Sequence, residues 1–305
     1  MRYIAALTLH RGGRFNDAAA EVKRALELQP TYEDAIRLHA TILMREGQVD
    51  AGLAEFKRIM ALRPNAVAIH ADMGAALFAA SRFQEAFEAL STAATLSPGS
   101  AINMIRAGAA AQQLGDTTRA LEYYEQANAI QPRAETFSNI GTIQYGLGDY
   151  AKAAAAYEGS LLIRPLSAVT NRNLGDAYGH LGRVEDARRA YQKAVEQAQV
   201  EVSVRSDART IARLAVYQAK AGDDPAAMRS LKRALALAPN DEQVLQRAGV
   251  IHALAGRTTA ALEAIEHAVA KGFNRRLIAT EEDLAALRSL PRFAALISTP
   301  PEEKR

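Results

Sequence analysis

Histidines, paired carboxylates and arginines are the residues from which catalysis or recognition would be built, and here they are dispersed. The six histidines, His10, His39, His70, His180, His252 and His267, fall in widely separated segments. None forms the His-Glu-x-x-His spacing that sets two ring nitrogens on one helix face for zinc. Gly-x-x-x-x-Gly-Lys-Ser/Thr and Gly-x-Gly-x-x-Gly phosphate loops are absent. Cysteine is absent too, which excludes disulfides, thiolate ligands and thiol nucleophiles. The acidic pair Asp223-Asp224 precedes Pro225 just ahead of a helical pattern. There a carboxylate accepts hydrogen bonds from first-turn N–H groups, so the pair reads as a helix cap. On these grounds the chain is expected to be no enzyme and to carry no cofactor or metal.

Arginine and asparagine remain, and what they can do depends on the elements that carry them. Those elements repeat. Prolines stand at 30, 64, 98, 132 and 165, at spacings of 34, 34, 34 and 33. In step with them run Gly13, Gly47, Gly115, Gly148, Gly182, Gly222 and Gly256, with Ser81 filling one gap. Two columns hold small residues. The first is Ala6, Ala40, Gly74, Gly108, Gly141, Gly175, Ala215 and Gly249; the second is Ala18, Gly52, Ala86, Ala120, Ala153, Ala187, Ala227 and Ala261. Four residues after the second comes a large one: Val22, Phe56, Leu90, Tyr124, Tyr157, Tyr191, Leu231 and Ile265. Between these marks, apolar residues recur at i, i+3, i+4 and i+7 over segments of helical length.

Each column has a physical reading. Small residues let the two helices of a hairpin approach closely. The glycine supplies the positive φ that ends the first helix, and the proline stops the second. The large residues are expected to fill the groove toward the next repeat. One hairpin cannot bury its apolar face alone, so the hairpins must stack. Hydrophobic residues at 49% exclude a disordered chain, and aromatics at 6% without tryptophan favour close-packed helices over a sandwich or barrel. The pattern predicts an all-α fold.

With these columns, best kept from Asn139-Ile140-Gly141 through Gly148-Asp149-Tyr150, Ala153, Tyr157 and Pro165, the sequence resembles the tetratricopeptide repeat family. The resemblance covers roughly residues 1–275 and implies a right-handed superhelical solenoid of about eight helix-turn-helix repeats, the first incomplete. Residues 276–305 are expected to form a C-terminal capping segment and tail. The run from Asp283 to Leu296 looks like the end of bacterial tetratricopeptide arrays, which can follow a kinase, cyclase or DNA-binding domain. One interval breaks the period: Gly182 to Gly222 is 40 residues, and the sixth repeat lacks its proline. The extra residues fall near Glu201–Asp207, as a helix extension or a loop.

The first helix of each repeat is expected to line the inner face. There stand Ser138, Asn139, Thr142 and Tyr145, then Arg172, Asn173, Asp176 and His180, then Arg209, Arg213 and Lys220. An asparagine amide offers donor and acceptor to a peptide backbone, and arginines bind carboxylates in charge-assisted pairs. The set resembles in part the family's carboxylate clamp, with Ser138 and Thr142 where the clamp has lysine and asparagine. Asn139, Thr142, Arg172, Asn173, Arg209 and Arg213 are therefore the candidate peptide-binding residues, and an extended, acidic protein segment is the expected partner.

The 37 basic and 34 acidic residues are too balanced for a dedicated nucleic-acid binder. No apolar run is long enough to span a membrane, so no membrane insertion and a cytoplasmic location are expected. The alternative reading is the C-terminal sensor or scaffold tail of a larger enzyme or transcription regulator. Oligomeric state is not encoded legibly.

Overall fold

Every proline of the periodic column stands two residues past the end of a helix. α2 (Phe15–Leu28), α4 (Val49–Leu62), α6 (Phe83–Leu96), α8 (Thr117–Ile130) and α10 (Tyr150–Ile163) end ahead of Pro30, Pro64, Pro98, Pro132 and Pro165. α14 (Asp224–Leu237) ends the same way before Pro239. The computed structural model describes residues 1–298; residues 299–305 of the expected tail lie outside the described residues. Among the described residues there are helices, turns and loops and no strands.

The chain divides into two compact units. The first runs from Met1 to Ile143. It holds α1 (Arg2–Arg11) with α2, α3 (Glu33–Arg45) with α4, α5 (Val67–Ala79) with α6, α7 (Ala101–Gln113) with α8, and most of α9 (Ala134–Gly146). The second begins at Gln144. It carries α10, α11 (Ala168–His180), α12 (Val184–Val204), α13 (Ala208–Lys220), α14, α15 (Glu242–Leu254) and α16 (Thr258–Ala270). α17 (Arg275–Thr280), a 3-10 turn (Glu282–Leu287) and α18 (Pro291–Ser298) follow. Within each unit the first helices of successive hairpins touch, α3 with α5 and α13 with α15, as stacked repeats require.

The glycine column ends each first helix as expected, with φ from 70° to 83° from Gly13 to Gly256. Ser81, which interrupts the column, adopts the same left-handed conformation at φ 60°. The small and large columns meet within a hairpin. A Cβ on Gly108 would stand 3.0 Å from the Tyr124 ring, and one on Gly175 would stand 2.5 Å from the Tyr191 ring. The large residue of the second helix therefore lies over the small residue of its own first helix. The repeat pattern alone suggested the groove toward the next repeat instead.

The core of each unit grows from these contacts. Phe56, Leu77, Leu90 and Tyr124 are buried in the first unit, and Ile211, Leu231, Ile251 and Ile265 in the second. Each contributes about 1.5–3 kcal/mol of hydrophobic stabilisation. Where the proline is missing, α12 continues for 21 residues against 14 in its equivalents, so the extra residues extend a helix before a short link to α13. Asp223 caps α14 by accepting from the Ala226 N–H. Asp224 pairs with Arg257 at 2.8 Å.

After α16, Ile278, Leu284, Leu287 and Phe293 are buried in the same core as α13 and α15. Arg292 fastens α18 to Glu266 at 2.5 Å. Leu284 and Leu287 fix the 3-10 turn, and that places the acidic residues just before them.

Candidate functional site

In the first unit, α9 carries Asn139 and Thr142. Asn139 is half-buried and hydrogen-bonds the Tyr124 hydroxyl, which itself donates to Gln112 Oε1 at 2.9 Å. Burial pushes the Tyr124 phenol up to about 12, against the opposing effect of the Asn139 bond. Thr142 is exposed, and its hydroxyl donates back to the Ser138 carbonyl at 2.9 Å.

In the second unit α11 turns Arg172, Asn173 and Asp176 to one side. Arg172 donates to Asn173 Oδ1 at 3.2 Å and to Asp176 Oδ2 at 2.8 Å. Asp176 also accepts from the Tyr191 hydroxyl at 2.7 Å and from Lys220 Nζ at 2.8 Å. Lys220 closes the arrangement by donating to Asp283 at 2.5 Å. The side chains of Lys220, Asp176 and Asp283 are 7%, 10% and 12% exposed, so these are buried charges.

Asp283 belongs to the segment after the repeats, and it does not come alone. Its neighbour Glu282 accepts from the Tyr145 hydroxyl and lies 3.4 Å from His180 Nε2. Glu281 accepts from Gln246 at 3.4 Å. His180 stacks on Tyr150 at 4.1 Å between centroids, and Tyr145 meets both rings edge-on. A cation–aromatic floor built by α9, α11, α13 and α15 thus holds three consecutive carboxylates of the same chain.

The electrostatics follow from the count of charges. Arg172 and Lys220 face Asp176, Glu281 and Asp283, an excess of one carboxylate. Burial, then Asp283, raises Glu281 above the ordinary glutamate value. Burial depresses Arg172, but Asp176 and Asp283 outweigh it and raise its value overall. Burial and the neighbouring Asp176 push Tyr191 up.

Arg209 and Arg213 face a different place. Arg209 binds Asp241 at 2.8 Å and Glu242 at 3.1 Å, and Arg213 binds Glu201 on the α12 extension at 2.5 Å. The structure therefore joins Arg172 to Asn173 and sets Arg209 and Arg213 together on one pocket of the same unit. Asn139 and Thr142 sit in the other unit.

Sequence reading found Tyr145, Asp176, His180 and Lys220 on the inner face but missed Glu281 and Glu282 as their partners. The signal available was a Glu-Glu-Asp run shortly after an array in which α13 carries Arg209, Arg213 and Lys220 and no acidic residue. Among the described residues no cluster of three or more histidine, aspartate or glutamate side chains is placed to hold a metal ion, and no helix is long and apolar enough to cross a membrane.

Stacked helical hairpins with a polar inner face define a helical repeat protein. Models of the tetratricopeptide repeat match residues 37–101, 103–133, 134–165 and 166–240. The chain belongs to the tetratricopeptide repeat family, whose members as a class mediate protein–protein interactions.

Among curated proteins it is 35% identical over 105 residues to an Hsp70-Hsp90 organizing protein of Triticum aestivum, a match covering 34% of this chain and 18% of that one. It is 35% identical over 83 residues to a photosystem I assembly protein of Prochlorococcus marinus, covering 26% of this chain and 48% of the relative. Tetratricopeptide repeat protein 6 of Homo sapiens is 23% identical over 194 residues, covering 63% of this chain and 37% of the relative. The chain thus spans less than half the length of each. Solved structures share the fold. A repeat protein of Parabacteroides merdae gives a TM-score of 0.56 at 12% identity over 91% of this chain and 94% of the other. The C-terminal part of one from Cytophaga hutchinsonii gives 0.60 at 16% identity over 80% and 98%.

Proposed function

We propose that this chain is an interaction scaffold whose second unit binds an extended, acidic segment of a partner protein on its inner face. One observation carries the reading: the chain already seats Glu281, Glu282 and Asp283 there, against Lys220, Tyr145, His180 and Gln246. The chemistry of that face is therefore suited to consecutive carboxylates. Asn173 lies beside it with an amide for a peptide backbone, and α13, which supplies Lys220, also carries Arg209 and Arg213 on the neighbouring pocket of the same unit. Recognition rests on a large preformed surface, with charge complementarity guiding encounter. The relatives' printed roles, Hsp70-Hsp90 organizing and photosystem I assembly, are of the same kind.

A peptide array tests the proposal. Acidic peptides should bind the parent and weaken on the Asn173→Ala, Arg213→Ala double variant at unchanged helicity. Neutralising the resident acids by Glu281→Gln, Glu282→Gln and Asp283→Asn should strengthen binding, because the partner no longer competes with them. Equal affinity in all three proteins refutes this location of the site.

A further inference from the structure

The six-residue break in the repeat period builds something. Without a proline to stop it, α12 extends to Val204, and its last turns form a wall beside α13 and α15. The wall is apolar where it is most open: Val200 is 65% exposed and Val204 85%. Between the three helices lies a pocket of about 570 Å³, within the range of about 300–1,000 Å³ usual for small-ligand sites.

Its lining is cationic. Arg205, Arg209, Arg213 and Arg247 face it, against Glu201 and Asp207. Three of the arginines have carboxylate partners: Arg205 with Asp207, Arg209 with Asp241 and Glu242, and Arg213 with Glu201. Arg247 is the exception among the described residues. It makes no ion pair, and its guanidinium donates to the Arg209 carbonyl at 3.2 Å. Burial and the nearby Arg213 lower its affinity for its own proton. A half-buried guanidinium flanked by two others, on the rim of an aliphatic wall, fits an incoming carboxylate carried beside an apolar group.

We propose that the pocket between the α12 extension, α13 and α15 is a specificity subsite for a partner segment in which an aliphatic side chain adjoins an aspartate or glutamate. The carboxylate meets the Arg247 guanidinium, and the aliphatic group covers Val200 and Val204. Charge complementarity selects this occupant: Arg205, Arg209 and Arg213 are matched by Asp207, Asp241, Glu242 and Glu201, so Arg247 is the lining cation left for an incoming carboxylate, and an uncharged apolar ligand would leave it without a partner. The inference rests on the scaffold reading and sharpens it, because the six extra residues that create the wall give this array a preference that its regular repeats do not supply.

Fluorescence polarisation with the full chain tests it. The probe is a labelled short peptide with Leu-Asp-Leu-Glu between Gly-Ser spacers. Its controls are Leu-Asn-Leu-Gln, which removes the charge, and Ser-Asp-Ser-Glu, which removes the aliphatic groups. Both controls should bind about tenfold more weakly than the probe. Arg247→Gln and Val204→Ser should each reduce probe binding, with helicity checked by circular dichroism. Val204 is exposed, so Val204→Ser keeps the test valid if Arg247→Gln perturbs α15. Probe binding that is unchanged in both variants, while still lost on Asn173→Ala alone, overturns the subsite and leaves the scaffold standing. Equal binding of probe and both controls overturns the subsite as a specificity element. If array peptides and probe alike fail to bind any form, both readings fall.

Discussion

Lys220 bridges Asp176 and Asp283, and replacing it with methionine isolates what that bridge contributes. Methionine keeps the length and the apolar stem, so the loss is chiefly charge. The ammonium contacts both carboxylates, at 2.8 and 2.5 Å, with all three side chains nearly buried. Two carboxylates both in reach of one ammonium lie roughly 5 Å apart and repel by about 3 kcal/mol at an effective dielectric near 20. Removing one partner from a buried ion pair costs about 3–5 kcal/mol for the same reason. Lys220→Met should therefore destabilise by about 3–5 kcal/mol, read as a lower urea midpoint by circular dichroism. The loss should be concentrated in the C-terminal hairpins, because repeat arrays propagate stability through neighbours. Trypsin should then cut at Arg275, Arg276 and Arg288 sooner than in the parent. Adding Asp283→Asn removes the repulsion, so the double variant should recover a large part of the loss. A cost below about 1 kcal/mol, or a double variant less stable than Lys220→Met alone, would show that the acidic turn is held by Leu284 and Leu287 and not by charge.

Other perturbations test other joints of the molecule. Ser81→Gly should stabilise by about 0.5–1 kcal/mol, because Ser81 sits at φ 60° where the other repeats have glycine; an unchanged or lower urea midpoint refutes this. Gly175→Ala should cost about 1–3 kcal/mol by driving the Tyr191 ring away from α11, whereas Gly179→Ala on the same helix meets open space and should stabilise by about 0.5–1 kcal/mol. Equal midpoints for the two variants would contradict the close helix approach. Phe293→Ala should cost about 3–5 kcal/mol and release α18 to protease. Hydrogen bonds from Arg119, Lys152 and Thr210 hold Asp116, Asp149 and Asp207 below the ordinary aspartate value of 3.8. Their contribution is complete above that value and is lost as pH falls through the lowered ones. An acid titration of the urea midpoint should therefore drop below pH 3.8, less steeply in the Asp116→Asn, Asp149→Asn, Asp207→Asn variant.

What could be read in the sequence and what could not divide by range. Helix ends are decided within a few residues, so Pro30 to Pro165, the glycine column and even Ser81 spoke directly of the structure. The α12 extension was half legible: a six-residue surplus shows that something is added, and only the absence of a proline argues that it continues a helix. The Asp223 cap was legible because capping is a contact across three residues. Ion pairs were not. Arg209 reaches Asp241 across 32 residues and Lys220 reaches Asp283 across 63, and no local pattern encodes those distances. The consequence for function is direct. A sequence that lists Arg172, Arg209 and Arg213 on an inner face suggests waiting cations, yet each is already bound to an acid of its own chain. Affinity for an acidic partner is then a difference between two sets of ion pairs, and the side chain without one dominates that difference. Arg247, read in the sequence only as one more basic residue on the same face, is where an incoming carboxylate displaces nothing.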